Sequence, residues 1–300
     1  MNPHFVAQKR ANITKTWMLM GVFFVGIIGL GYVLTQYTGN PTFLYGGALV
    51  SVVMNFIAYF NSGTIAIRSA GAVPADPVVY AQLHEIVASL AQRMQLPKPK
   101  VFIINDSAPN AFATGRNPQN ASVAATTGII ERLTRQELEG VMAHELAHVQ
   151  NRDILVMTVA VVLAGVVSII ADMFMRMSLF GGTRRQDGNG GPLVLLGTIM
   201  ALIIAPLAAQ LIQLAISRKR EYVADATAAL VTQNPEGLAS ALEKIASYKA
   251  PMHSASHATA HLFISNPFGS YEVGKSFATL FATHPPMEHR IFVLRNPSKA

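Results

Sequence analysis

The sequence predicts a mainly α-helical membrane protein with four transmembrane helices and a smaller α+β portion. Three observations predict it: a shortage of charge, four uncharged apolar runs, and alternating helix-like and strand-like patterns between the second and third runs. Charged residues make up 13% of the 300-residue chain and hydrophobic residues 51%, whereas an ordinary soluble domain is roughly 25% charged. The net charge is +7, from 23 Lys+Arg against 16 Asp+Glu. No basic stretch is interleaved with aromatics as single-strand nucleic-acid binders require. An anionic membrane surface accounts for the excess more simply. With no cysteine, disulfides and thiolate metal sites are excluded, so any metal must be held by His, Asp or Glu.

Residues 17–34 and 43–60 carry no charge and are about long enough to cross a bilayer as helices. The connector TQYTGNPT makes them a hairpin within an N-terminal anchor, residues 1–60. The first run is longer than the roughly 7–15 apolar residues of a signal peptide and no clear cleavage site follows, so it reads as an uncleaved anchor. Residues 154–171 and 193–216 form a second hairpin spanning 154–216, with a kink at Pro206. A hairpin buried in a soluble core, or one only partly embedded, is the alternative for this pair. Lys9, Arg10 and Lys15 precede the first run, the 35–42 connector has no basic residue, and Arg68, Arg93, Lys98 and Lys100 follow the second run. Arg218, Lys219 and Arg220 follow the fourth. The positive-inside rule then places the N-terminus, residues 61–153 and residues 217–300 in the cytoplasm. Arg176, Arg184 and Arg185 in the Gly-rich 172–192 loop argue mildly the other way.

The first non-membrane part, residues 61–153, reads as α+β. PADPVVYAQLHEIVASLAQRMQL has helical periodicity, with Val79, Leu83, Ile86, Val87 and Leu90 on one side. KVFIIN reads as a strand ended by DSAPN, and NAFATG and ASVAATTGII as two further short strands. Thr134-x-x-Glu137 is a capping-box signature that opens the next helix.

That helix carries VMAHELAHVQ. Residues four apart on a helix lie about 40° apart around the axis and about 6 Å along it, so His144 and His148 project from one side and can grip one ion. Glu145, offset by about 100°, suits a water on the metal rather than the metal itself. His-Glu-x-x-His on a helix is a metalloprotease signature for this reason. The bland alternative is an amphipathic helix with incidental histidines. Leu138, Val141, Met142 and Val149 form its core stripe, however, and Glu145 falls inside that stripe. An unpaired glutamate there incurs a desolvation cost of several kcal/mol, which a site at a cavity explains and amphipathicity does not. A third ligand is available in SRKREYVADATAAL, where Glu221 and Asp225 are four apart. Glu221 can bind zinc while Asp225 accepts a hydrogen bond from a ligand histidine. Beside Arg218, Lys219 and Arg220, the pair reads equally well as a solvated charge cluster. Were Glu221 not the ligand, another carboxylate, such as Glu236 or Glu243, would have to be.

LPKPKVFIINDSAPNAFATGRNP, TTGIIERLTRQELEGVMAHELAHVQNRD, SRKREYVADATAAL and the late THPPMEHRI together resemble the HtpX-type heat-shock membrane metalloproteases. These are glutamate-zincins related to the integral-membrane CAAX prenyl proteases. The resemblance covers roughly residues 1–295, in order. It implies a zincin-like α+β catalytic domain assembled from 61–153 and 217–300, and one Zn2+ per chain held by His144, His148 and Glu221. It further implies Glu145 as catalytic base, and Asn110-Ala111-Phe112 on an edge strand where an extended substrate can pair its backbone. His284 is a candidate for polarising the oxyanion, with Arg290 as its alternative; a structural role is open to either. The implied setting is a bacterial inner membrane with the active site facing the cytoplasm, and the implied work is quality control on misfolded or damaged membrane proteins.

Other classes fit less well. The four runs contain no Asp, Glu, His, Lys or Arg, whereas transport at mid-membrane needs ionisable groups inside the spans. A proteolytically inactive chaperone or scaffold has no use for an intact His144, Glu145, His148 and Glu221. Processing of prenylated CAAX-type proteins is the alternative within enzymes. His253, His257 and His261 recur every four residues as a second metal strip, but no carboxylate joins them.

Overall fold

The computed structural model describes residues 3–180, 218–253, 259–268 and 285–296. The expected span 193–216, His257 and His284 fall outside the described residues. Helix α1 (Pro3–Thr38) and helix α2 (Thr42–Ser69) form the expected hairpin, turned at Gly39 with φ 73°. Helix α6 (Asp153–Phe180) contains the third expected span. Among the described residues, these three helices are long and apolar enough to cross a membrane. Helix α6 lies at the centre of the bundle, with 61% of its most apolar window buried against 22% for α1 and 17% for α2. Leu19, Phe23 and Ile27 of α1 and Ala58 of α2 pack with Leu155, Val156, Val159 and Leu163 of α6. The outward faces of α1 and α2 are also apolar, with Val25, Leu49 and Phe56 each more than 60% exposed. A soluble surface rarely shows so large an apolar area, which agrees with helices long and apolar enough to cross a membrane.

Beyond α2 the chain makes a four-stranded mixed sheet. Its strands are β1 (Val73–Pro74), β2 (Lys100–Ile104), β3 (Ala111–Gly115) and β4 (Ala121–Thr126), in the order β1-β2-β4-β3. Strands β2 and β4 run parallel, and the outer pairs are antiparallel. Helix α3 (Ala81–Arg93) buries Leu83, Ile86, Val87 and Leu90 as its periodicity predicts. Val79 departs from the expected stripe and is 71% exposed. Asp76 accepts from the backbone amides of Val78 and Val79, which holds this segment in an Asx-type turn before the helix starts. The second half of ASVAATTGII is likewise a helix, α4 (Thr127–Arg132), and not a strand. The Thr126 hydroxyl accepts from the Ile129 amide and caps it, a local signal that outweighs the β-branched composition.

Helix α5 (Arg135–Gln150) opens with the expected reciprocal bonds between Thr134 and Glu137. Residues 137, 138 and 140–149 are all buried, so α5 runs through the interior with α3, the sheet, α7 (Arg218–Thr232) and α8 (Pro235–Ser247) around it. A last helix, α9 (Met287–Arg295), packs on α7 and α8. The sheet end of this domain rests on the membrane helices. A Cβ on Gly63 of α2 would lie 3.1 Å from Cα of Gly115, which ends β3 at φ 133°. Thr114 and Thr158 share a hydrogen bond of 3.0 Å between β3 and α6.

Close approach of α5 and α8 depends on Gly140. A Cβ there would sit 2.8 Å from the Leu238 amide nitrogen and 2.9 Å from its Cα, and neither backbone atom can move like a side-chain tip. Gly140→Ala should therefore destabilise the protein by about 1–3 kcal/mol, the range for overpacking. Thermal unfolding in detergent checks this; an unchanged Tm would mean the helices can separate freely.

Candidate metal centre

Three elements meet at the centre of the domain. Helix α5 supplies His144, Glu145 and His148, α7 supplies Glu221 and Asp225, and the first residue of α6 supplies Asp153. Their spacing brings them together: 144 and 148 share one side of α5, and 221 and 225 share one side of α7. All six are buried.

One nitrogen of each histidine is fixed by a carboxylate. Nδ1 of His144 lies 2.9 Å from Oδ1 of Asp225, and Nδ1 of His148 lies 3.0 Å from Oδ2 of Asp153. A carboxylate only accepts, so each Nδ1 carries the proton and, in the neutral ring, each Nε2 is left with a lone pair. Both lone pairs point at the same place. The two Nε2 atoms are 3.2 Å apart, and the Glu221 carboxylate lies 3.6 Å from that of His144 and 3.5 Å from that of His148. Three electron-pair donors thus converge with no donor hydrogen among them. Such a cluster requires positive charge at its centre.

The spacing fits a metal. An ion bound tetrahedrally at about 2.0–2.1 Å from each ligand sets neighbouring donors about 3.3–3.4 Å apart, and the observed separations of 3.2–3.6 Å bracket that value. His144, His148 and Glu221 are the one group of three or more such side chains that could hold a metal ion among the described residues. Without an ion, a proton serves the same end. Burial works to lower the His148 pKa, but the Glu221 charge, the hydrogen bond and charge of Asp153, and Glu145 together raise it to about 9.

A further layer holds the carboxylates. Arg290, fully buried on α9, donates from Nε to Oδ2 of Asp225 at 2.9 Å and from Nη2 to Oδ1 at 2.7 Å. Burial would raise the Asp225 pKa, but this forked pair and the His144 hydrogen bond bring it down to about 2. Arg290 also reaches the cluster itself, with Nη2 3.5 Å from Nε2 of His144 and Nη1 3.8 Å from Oε2 of Glu221, so the structure brings this sequence candidate to the site. On the other side, Asp153 accepts from Asn12 at 2.7 Å and has Arg220 within 3.6 Å. The sequence reading named neither Asp153, Asn12 nor Arg220 as part of the site. Asp153 had a signal, a charge standing directly against an apolar span; Asn12, far away on α1, had none. Glu236 and Glu243 stand apart, more than half exposed and paired with Arg295. His253 and His261 do not join a metal-sized group among the described residues.

Strand β3 is an edge strand, as expected for Asn110–Phe112, but its first residue is already engaged. The Ala111 carbonyl accepts from the Ile264 amide at 2.9 Å, and Asn110 bonds the Ser265 backbone through both side-chain atoms. Phe263 packs edge-on against Phe112 with ring centroids 5.0 Å apart.

Comparison with known proteins agrees with this geometry. Residues 77–298 match the profile of peptidase family M48. The chain is 47% identical to a protease HtpX homolog of Caldanaerobacter subterraneus over 291 residues, 95% of both chains. It is 51% identical to one from Syntrophobacter fumaroxidans over 253 residues, 83% of this chain and 87% of that one. A homolog from Thermococcus sibiricus is 44% identical over 281 residues, 93% and 95% of the two chains. Among solved structures, Ste24p of S. mikatae shares the fold with a TM-score of 0.52 at 19% identity, covering 96% of this chain and 67% of that one.

The raised His148 pKa has a measurable consequence. A histidine whose folded pKa is about 9 is protonated in the metal-free protein at neutral pH, so metal uptake must displace that proton. Calorimetry at pH 7.5 in buffers of different ionisation enthalpy should show release of close to one proton per metal, with affinity rising roughly tenfold per pH unit until about pH 9. The sign follows from a raised pKa: the proton's stabilisation of the metal-free fold is present below pH 6.5 and lost as pH rises through about 9. Metal uptake without proton release would show that His148 is neutral and its partners weaker than the geometry indicates.

Proposed function

The chain belongs to peptidase family M48, and from that premise we propose that it is a zinc-dependent endopeptidase cleaving membrane proteins at the cytoplasmic face of a bacterial inner membrane. The observation that carries this reading is the convergence of three lone-pair donors at ion-sized spacing. It is a membrane metalloprotease with protein substrates. Zinc, the individual residue roles, the orientation and a quality-control role are our inferences.

The donor set of two imidazoles and one carboxylate is a zinc set, leaving a position open. Zinc held by His144, His148 and Glu221 would supply an acidified water and a polarised scissile carbonyl. Glu145 is buried beside the ligands, near enough for its charge to be felt by both His148 and Arg290. Its carboxylate takes the proton of the attacking water and passes it to the departing amine nitrogen. Asp225 and Asp153 keep each Nδ1 protonated and each Nε2 aimed at the centre, and Arg290 keeps Asp225 ionised. Substrate backbone pairs along β3. In an antiparallel ladder outward-facing residues alternate, so Ala113, two residues beyond the bonded Ala111, turns its N–H and C=O away from β4.

The site's position supports membrane substrates. Asp153 is both the partner of His148 and the first residue of α6, so no linker separates the metal helix from the span. A membrane protein need expose only a short unfolded segment at the surface to reach the cleft, as damaged or misassembled ones do.

Two measurements test this reading. Glu145→Gln keeps shape and ligands but cannot take a proton, so casein hydrolysis should fall at least about a hundredfold at unchanged zinc content; near-normal cleavage would remove Glu145 from the mechanism. The chain has no cysteine, so single cysteines report topology. Asn40→Cys, in the α1–α2 turn, should react with an impermeant thiol reagent on intact cells, whereas Ser247→Cys, exposed on α8, should react only after the cells are opened. The opposite pattern reverses the orientation.

A further inference from the structure

We propose that Asn12, on the first membrane helix, is a positioning residue for the metal centre, holding the ligand His148 through Asp153. The proposal rests on the reading above that His148 is a metal ligand. Asn12 lies before residue 77, where the match to the peptidase family begins.

Asn12 is 2% exposed and makes a complete set of bonds. Its Nδ2 donates to Oδ1 of Asp153 at 2.7 Å and to the Asn151 carbonyl at 2.9 Å, while its Oδ1 accepts from Nη1 of Arg220 at 3.0 Å. These bonds reach three different elements at one point. Asn151 ends α5, Asp153 begins α6, and Arg220 stands one residue before the ligand Glu221 on α7.

The geometry at Asp153 explains why an amide is needed. This carboxylate is 0% exposed and spends Oδ2 on His148. A buried carboxylate with an unsatisfied oxygen is costly, and one free to rotate could present either oxygen, or neither, to the ring. Asn12 fixes the other oxygen. Rotation about the carboxylate is then blocked, and Nδ1 of His148 has one acceptor in one place. The junction itself is tight: Arg152 adopts φ 59° between the two helices, so a shift of Asp153 is transmitted directly to α5. Arg220, 3.6 Å from Asp153, supplies charge; the short neutral bond from Asn12 supplies direction. The anchor helix thus belongs to the active site.

The test uses the full-length protein in detergent, with Zn2+ affinity measured against a competing chelator and thermal unfolding measured on the metal-free form. Asn12→Asp retains the shape and the Arg220 acceptor but loses the donor to Asp153. It should weaken Zn2+ binding about 10–100-fold, as loss of an outer hydrogen bond to a ligand does. A merely structural role would show in thermal unfolding of the metal-free form alone, so unchanged Zn2+ affinity in Asn12→Asp overturns the proposal. Asn12→Ala and Asp153→Asn should be non-additive, the double variant losing no more than Asp153→Asn alone. Additive losses would mean that Asn12 acts elsewhere and would also overturn it. His148→Ala separates the two levels. If it still binds Zn2+ like the wild type, the ligand reading itself fails; if it loses Zn2+ while Asn12→Asp does not, only the positioning role fails.

Discussion

The convergence of three buried electron-pair donors on one point is the constraint on which the rest of the domain depends. His144, His148 and Glu221 come within 3.2–3.6 Å of one another in an interior where charge is poorly screened. Nothing in α5 or α7 alone would hold them there; helices free to move would separate. They are held because each histidine is tied from behind. Asp225 holds His144 and is itself gripped in a fork by Arg290 on α9, while Asp153 holds His148 from the start of α6. The cost of converging the ligands is therefore met by hydrogen bonds outside the cluster and by a packed shell that includes Leu138, Val141, Met142, Leu146 and Val149. In the metal-free protein a proton on His148 offsets the repulsion; a bound cation would take its place, and its binding energy would then become folding energy.

Much of this was legible in the chain because it is carried by short periods. His144 and His148 are four apart, as are Glu221 and Asp225, and helix geometry alone puts each pair on one side. The Thr134–Glu137 box and the uncharged runs are similarly local. Elements decided by one side chain against the local average were harder to read. Asp76 holds Val79 in a turn against the periodicity of α3, and the Thr126 hydroxyl starts α4 inside a β-branched stretch. Contacts between distant parts were least legible. Asn12 and Asp153 are separated by 141 positions, and no period or composition links them. A sequence does not show that the Arg290 guanidinium forks onto Asp225, 65 positions away.

The helix that carries the motif also differs from an ordinary surface helix in a way that bears on chemistry. Residues 140–149 are buried on every side, so the motif sits in the interior while α5 meets solvent in its first turn, at Arg135 and Gln136. Gly140 lets α8 approach the backbone on one side, and Ala143 and Ala147 pack in the same core as Ala111 and Ala113 of β3. Small residues on both elements thus line the contact between β3 and the helix that carries His144 and His148.

That edge is where substrate geometry and membrane geometry meet. Ile264 bonds the start of β3 at Ala111, and its neighbour Phe263 fills the space over Phe112. The far end, at Thr114 and Gly115, rests on α6 and α2. An incoming strand therefore finds one end of β3 taken by the protein's own chain and the other abutting the membrane helices. What is left is a pairing length of a few residues around Ala113. On the proposed reading an extended segment would pair with so short an edge, whereas a folded loop would not. On the same reading, a preference for unfolded stretches near the membrane would come from the length of the free edge.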